Sequence, residues 1–84
     1  MNAEQMDTII RGFRGCDKYC NMTVLVTESI AYDIPNPFND EIRNATLGAH
    51  EDTGCLSFLA ENGKTIVFIP LDKIASIELN LFEE

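Results

Sequence analysis

The sequence lacks both a long apolar run and an export signal. No segment of the 84 residues approaches the ~18 uninterrupted apolar residues of a transmembrane helix. Residues Met1 to Gln5 have neither the basic start nor the apolar stretch of a signal peptide. We therefore expect a cytoplasmic protein with no membrane partner. A chain of this length predicts one domain, residues 1–84.

Cysteine and histidine are scarce, with three cysteines and one histidine. An odd number of cysteines without an export signal favours free thiols in a reducing compartment. The one set with metal-ligand residue types consists of Cys16, Cys20, His50 and Cys55. Its spacing lacks the paired C-x-x-C knuckles typical of structural zinc sites, so we expect no metal and no cofactor. The lone His50 and the lack of a glycine-rich phosphate loop lead us to expect no enzyme.

Basic residues are also few, six against fourteen acidic ones, and the formal net charge is −8. A surface of that sign repels phosphate backbones, so a nucleic-acid partner is not expected. Arg11 and Arg14 fall near the end of the predicted N-terminal helix, where any nucleic acid would have to bind. Their interaction with the helix dipole is a sufficient explanation that needs no ligand.

The spacing of apolar residues changes along the chain. A helical stripe predicts a short helix within residues 1–15, with Asn2 as its cap and Gly15 near its end; its apolar residues are Met6, Ile9, Ile10 and Phe13. From Met22 the apolar residues alternate, which predicts strands over residues 22–82. Glu28 interrupts the apolar face, so we expect the first strand to bend, bulge or end there.

Residues 55–60 and 64–69 flank Asn62 and Gly63, a pattern that predicts a β-hairpin with a type I′ turn. Residues 66–69 are all apolar, so we expect a central strand covered on both faces. Residues 70–73 predict a tight turn, and residues 41–52, the least defined segment, could form a strand around Gly48. The predicted core consists of Val24, Val26, Leu56, Phe58, Ile66, Phe68, Ile74, Ile77 and Leu79.

The segment Gly54 to Asn80 resembles the last three strands of Sm-like barrels of the Hfq type, and of related SH3-like barrels. The resemblance is carried by residues 55–59, 62–63, 66–69 and 74–77. It implies a mainly β fold: a small five-stranded barrel, residues 22–82, behind a short N-terminal α-helix. It also implies self-association, and RNA contacts at the corner before the last strand, where Lys73 is the only basic residue.

Two groups of residues are candidates for binding. The loop of residues 35–40 carries Phe38 between polar and proline residues and leads into acidic residues, so the first group is Phe38, Asp40 and Glu41. The second group consists of the cations Arg11, Arg14 and Lys73. The helix stripe and the tail Leu81-Phe82 leave apolar surface that one small barrel does not cover, which favours a homo-oligomer.

Our first hypothesis is a non-catalytic binding module, a homo-oligomeric barrel that binds a protein or a small ligand. One alternative is an acidic inhibitor or decoy of the kind that phages and mobile elements encode, mimicking nucleic acid or sequestering a nucleotide. The other alternative is an Sm-like RNA-binding protein, which follows from the resemblance and is opposed by the negative charge.

Overall fold

The structure, a computed structural model, describes residues 1–83. A short helix precedes two three-stranded antiparallel sheets, and the helices and strands are α1 (Ala3–Arg14), β1 (Tyr19–Thr27), β2 (Ile30–Pro35), α2 (Glu41–Thr46), β3 (Gly48–His50), β4 (Cys55–Leu59), β5 (Ile66–Pro70) and β6 (Ser76–Leu81). The strand orders are β2-β1-β6 and β3-β4-β5. A mainly β fold with a short N-terminal helix is therefore confirmed, with six strands rather than five. Within residues 1–83 no ladder joins the sheets, so the closed barrel stays a prediction.

Helix α1 begins where the sequence predicts. The Asn2 side chain accepts a hydrogen bond from the Gln5 backbone N–H, and the Gln5 side chain accepts one from the Asn2 backbone N–H, which forms a capping box. The apolar stripe packs into the core of the same chain, where Met6, Ile10 and Phe13 are at most 1% exposed. Ile9, the fourth residue of the stripe, is only partly buried against the core, so the chain itself covers most of the stripe.

The first sheet follows the predicted alternation. β1 ends at Thr27, next to the predicted break at Glu28, and the chain reverses into β2. Met22 and Val24 of β1 and Ile34 of β2 are buried, and they face α1 and the second sheet across the core. β6 completes the sheet along the other side of β1, after the predicted tight turn, which is a 3-10 turn at Leu71–Lys73.

The second sheet corrects the expectation of a central strand at residues 66–69. β5 pairs with β4 alone and is an edge strand. Val67 and Ile69 face the core, whereas Ile66 is 48% and Phe68 60% exposed, so the latter two do not belong to the core. Apolar residues on both faces are typical of a central strand, but here only one face has a neighbouring layer.

The connection between β4 and β5 also differs from the predicted type I′ turn. That turn requires positive φ at both central residues, but Gly63 alone has it, with a φ of 71°. The Gly63 N–H donates to the Ala60 carbonyl at 2.9 Å, and the Ala60 N–H donates to the Thr65 carbonyl at 2.7 Å. The loop is therefore longer than two residues, and the hairpin itself is confirmed.

Residues 41–52 contain an unpredicted helix. α2 occupies six residues, and the strand considered around Gly48 is the short β3 that follows it. Asp40 caps α2 by accepting a hydrogen bond from the Arg43 N–H at 3.1 Å. A helix of six residues is too short for an apolar stripe to be recognised in the sequence.

No helix within residues 1–83 has the length and apolar character needed to cross a bilayer.

Candidate functional site

The loop between β2 and α2 is fixed by one asparagine. The Asn36 Nδ2 lies 3.2, 2.9 and 3.0 Å from the backbone carbonyl oxygens of Phe13, Cys16 and Tyr19, which share its two protons and tie the loop to the end of α1. Pro37 is buried, and Phe38 beside it is 57% exposed. The loop therefore presents Phe38 to solvent from an anchored backbone.

Asp40 and Glu41, predicted as acidic binding residues, differ in their surroundings. Asp40 caps α2 and its carboxylate lies 3.5 Å from the Arg43 Nε. Arg43 in turn donates to the carbonyl oxygens of Leu59 at 3.0 Å and Glu61 at 3.3 Å, which attaches α2 to the end of β4. Glu41 is exposed at the start of α2. Asp40 is thus part of a structural contact, whereas the charge of Glu41 faces solvent.

The three candidate cations do not share one surface element. Arg11 forms an exposed ion pair with Asp7, with 3.1 Å between Nε and the carboxylate. Arg14 donates to the Leu47 carbonyl at 2.6 Å, and its Nε is buried without a hydrogen-bond partner. Lys73 is exposed in the turn between β5 and β6. The structure therefore gives both arginines contacts within the chain.

The cysteine and histidine set is not assembled as a metal site. Across residues 1–83 no group of three or more His, Cys, Asp or Glu side chains is placed to hold an ion. His50 and Cys55 are cross-strand partners in β3 and β4, while Cys16 precedes β1 and Cys20 lies in it.

His50 instead contacts a buried serine. Its Nε2 lies 2.8 Å from the Ser57 Oγ, and that hydroxyl donates to the Thr46 carbonyl at 2.8 Å. Because the hydroxyl has a single proton, Nε2 must donate to Oγ. The contact joins β3, β4 and the end of α2.

The sequence reasoning missed the most exposed apolar surface of the second sheet, which we call the β5 face. It comprises the outward-facing side chains of β5 and their cross-strand neighbour on β4: Leu59, Ile66, Phe68 and Pro70. Ile66 and Phe68 are 48% and 60% exposed. Ile66 and Phe68 are exposed whereas Val67 and Ile69 face the core, but a run of four apolar residues gives no sign of this alternation in the sequence.

The backbone of β5 is also open along one edge. The hydrogen bond from the Ala60 N–H to the Thr65 carbonyl fixes which pairs of the β4–β5 ladder exchange bonds. Alternation then directs the backbone of Val67 and Ile69 toward β4 and that of Ile66 and Phe68 toward the open edge. The β5 face therefore combines exposed apolar side chains with free backbone donors and acceptors.

Comparison of the sequence with models of protein families and with curated proteins, and of the fold with solved structures, gives no match.

Proposed function

We propose that the protein is a non-catalytic binding module of the cytoplasm, a small Sm-like or SH3-like barrel that self-associates through the β5 face. In the assembled form it binds a protein or a small ligand. The observation that supports self-association is the exposure of Ile66 and Phe68 beside an open strand edge. An unprotected apolar edge strand is a template for pairing with another chain.

A second copy of the same chain fits this edge by symmetry. If two β5 strands pair antiparallel about a two-fold axis at Val67, Ile66 of one copy lies opposite Phe68 of the other. Because both residues direct their backbone toward the open edge, each of the two equivalent pairs exchanges two backbone hydrogen bonds. The side chains of Ile66 and Phe68 then become cross-strand neighbours, an apolar and aromatic pairing that stabilises sheets.

Burial of apolar surface against a second copy is also more important for the stability of a small chain than for that of a large one. At 84 residues the core is limited, and domains of this size bury a smaller fraction of their surface than larger domains do. The helix stripe, which the sequence indicated as an interface, is buried within the chain except for the partly buried Ile9. The β5 face and the exposed tail, with Leu81 at 64% and Phe82 at 61%, are the apolar surfaces that favour an interface.

The acidic inhibitor or decoy is the second candidate, supported by the contacts of the cations. Arg11, Arg14 and Arg43 each bind a group of their own chain, which leaves the exposed lysines to offset the surface acids. A surface of net charge −8 with few free cations favours a basic partner over a phosphate backbone. The same observation disfavours the Sm-like RNA-binding alternative.

Sedimentation velocity at micromolar concentration tests self-association. We expect the wild-type protein to sediment as a dimer or larger assembly and Phe68→Ser to shift it toward monomer. Phe38→Ser is the matched control, because Phe38 is exposed to a similar extent, 57% against 60%, on a loop outside the β5 face. A monomeric wild-type protein, or equal effects of the two substitutions, would contradict the proposal.

A further inference from the structure

A groove opens where β2 of the first sheet approaches the β4–β5 hairpin of the second. We call it the Tyr32 groove; its volume is about 370 Å³, and it is lined by Ala31, Tyr32, Asp33, Phe58, Ala60, Glu61 and Val67. The rings of Tyr32 and Phe58 meet edge to face across the two sheets, with centroids 5.9 Å apart. The aromatic and aliphatic residues form an apolar floor, and Tyr32 is still 36% exposed.

The charges around the Tyr32 groove have one sign. Its lining contains Asp33 and Glu61 and no Lys, Arg or His. The Thr23 hydroxyl donates to the Asp33 carboxylate at 2.7 Å, and Glu61 is exposed at the start of the hairpin loop. Arg43, which donates to the Glu61 carbonyl, has its charge paired with Asp40. Apolar and aromatic lining residues beside Glu61, with no cation in the lining, suit the aliphatic stem and cationic head of a lysine or arginine.

The backbone beside the groove is open as well. The Asn36 N–H donates to the Cys20 carbonyl at 3.2 Å, which sets the alternation of the β1–β2 ladder. Met22 and Val24 accordingly exchange bonds with Ile34 and Tyr32, and the backbone groups of Ala31 and Asp33 point to the outer edge of β2. Residues 30–33 are all exposed, so an extended chain has access to this edge.

We propose that the Tyr32 groove binds an extended, basic segment of a partner protein, which adds a strand to the edge of β2 and places one Lys or Arg side chain over Tyr32. This inference rests on the proposed binding function and names the partner's chemistry. Backbone hydrogen bonds to Ala31 and Asp33 supply affinity that does not depend on sequence. The apolar lining and Glu61 select a cationic side chain, because a neutral or acidic one leaves Glu61 without a partner.

The test is an NMR titration of the ¹⁵N-labelled full chain with two capped eight-residue peptides, one alternating Lys and Thr and the other alternating Glu and Thr. We expect the Lys-Thr peptide to shift the amide resonances of Ala31, Tyr32 and Asp33, and the Glu-Thr peptide to shift none of them. When a lysine lies opposite Tyr32, the threonines of the peptide are the residues whose amides face Ala31 and Asp33. A Lys-Thr peptide N-methylated at every threonine amide keeps its charge but lacks these donors, so we expect it to lose binding.

Two charge reversals separate a local site from general attraction. Glu61→Lys should weaken binding of the Lys-Thr peptide by about tenfold, because an attractive contact becomes repulsive. Glu51→Lys, at an exposed position in the turn after β3, makes the same change in net charge outside the groove and should weaken it by less than about twofold. Equal effects of the two variants, or equal binding of the N-methylated peptide, would overturn the proposal.

The titration of the wild-type protein tests the proposal even where a variant fails to fold. If the Lys-Thr peptide shifts resonances other than those of residues 31–33, the proposed binding at the Tyr32 groove is contradicted. Self-association is tested separately. Glu61→Lys should keep the wild-type sedimentation behaviour, and Phe68→Ser should keep peptide binding at residues 31–33. If the wild-type protein is an oligomer but does not bind the peptide, the groove proposal alone is overturned. If the wild-type protein is a monomer that binds the peptide, the self-association proposal alone is overturned.

Discussion

Replacement of Arg43 by methionine should destabilise the protein by about 2 to 3 kcal/mol. Methionine keeps the aliphatic stem but removes the bond to the Leu59 carbonyl, which is partly buried, and the weaker bond to the exposed Glu61 carbonyl. A hydrogen bond with one charged partner contributes about 1.5 to 3 kcal/mol, and the ion pair with the half-exposed Asp40 adds up to about 1 kcal/mol. Arg43→Lys keeps the charge but lacks the planar guanidinium, so its free energy of unfolding should lie between those of the wild-type protein and Arg43→Met.

The assay is urea denaturation at one fixed protein concentration, followed by circular dichroism. Arg11→Met is the matched control, because Arg11 also pairs with an aspartate but its side chain is 68% exposed, against 17% for Arg43. We expect the control to lose no more than about 0.5 kcal/mol. If Arg43→Met lost no more than Arg11→Met, the attachment of α2 to β4 through this guanidinium would be refuted.

Two further substitutions test the loops and α1 by the same denaturation assay. Gly63→Ala should destabilise by about 1 kcal/mol because the φ of 71° is costly for a residue with a Cβ, and an unchanged or raised stability would contradict the assigned loop conformation. Gly12→Ala, on the exposed side of α1, should stabilise by about 0.5 to 1 kcal/mol, and a loss of stability would contradict its place in the helix. Asn36→Asp should destabilise about as much as Asn36→Ala, by roughly 2 to 3 kcal/mol, since an ionised carboxylate cannot donate to three carbonyls; a near-neutral Asn36→Asp would show that the amide does not anchor the loop.

The sequence predicted those elements whose signal is local. The cap at Asn2, the end of β1 next to Glu28 and the turn after Pro70 depend on residues a few positions apart, and the structure contains all three. The position of β5 depends instead on which strands reach its two sides. Four apolar residues in succession are compatible with a central strand, and only the strand order decides that Ile66 and Phe68 face solvent.

The candidate site was predictable in part for the same reason. The two prolines that precede Phe38 predict an exposed loop, and the structure leaves Phe38 exposed. The contact of Arg43 with the carbonyl oxygens of β4 could not be predicted, because it joins residues 16 and 18 positions apart through backbone atoms, which have no sequence signature. The Tyr32 groove likewise requires the two sheets to be placed, since its Tyr32–Phe58 contact crosses between them.

Amide hydrogen exchange of Ile66 and Phe68 tests self-association through the β5 face, because the proposed pairing bonds their backbone N–H groups to a second copy of the chain. Exchange is measured by NMR over a dilution series from high to low protein concentration, with the Val67 amide as the internal reference that bonds to β4 in every state. We expect the Ile66 and Phe68 amides to be protected at high concentration and to lose protection on dilution, while the Val67 amide is protected throughout. Rapid exchange of both amides at every concentration would contradict self-association through the β5 face.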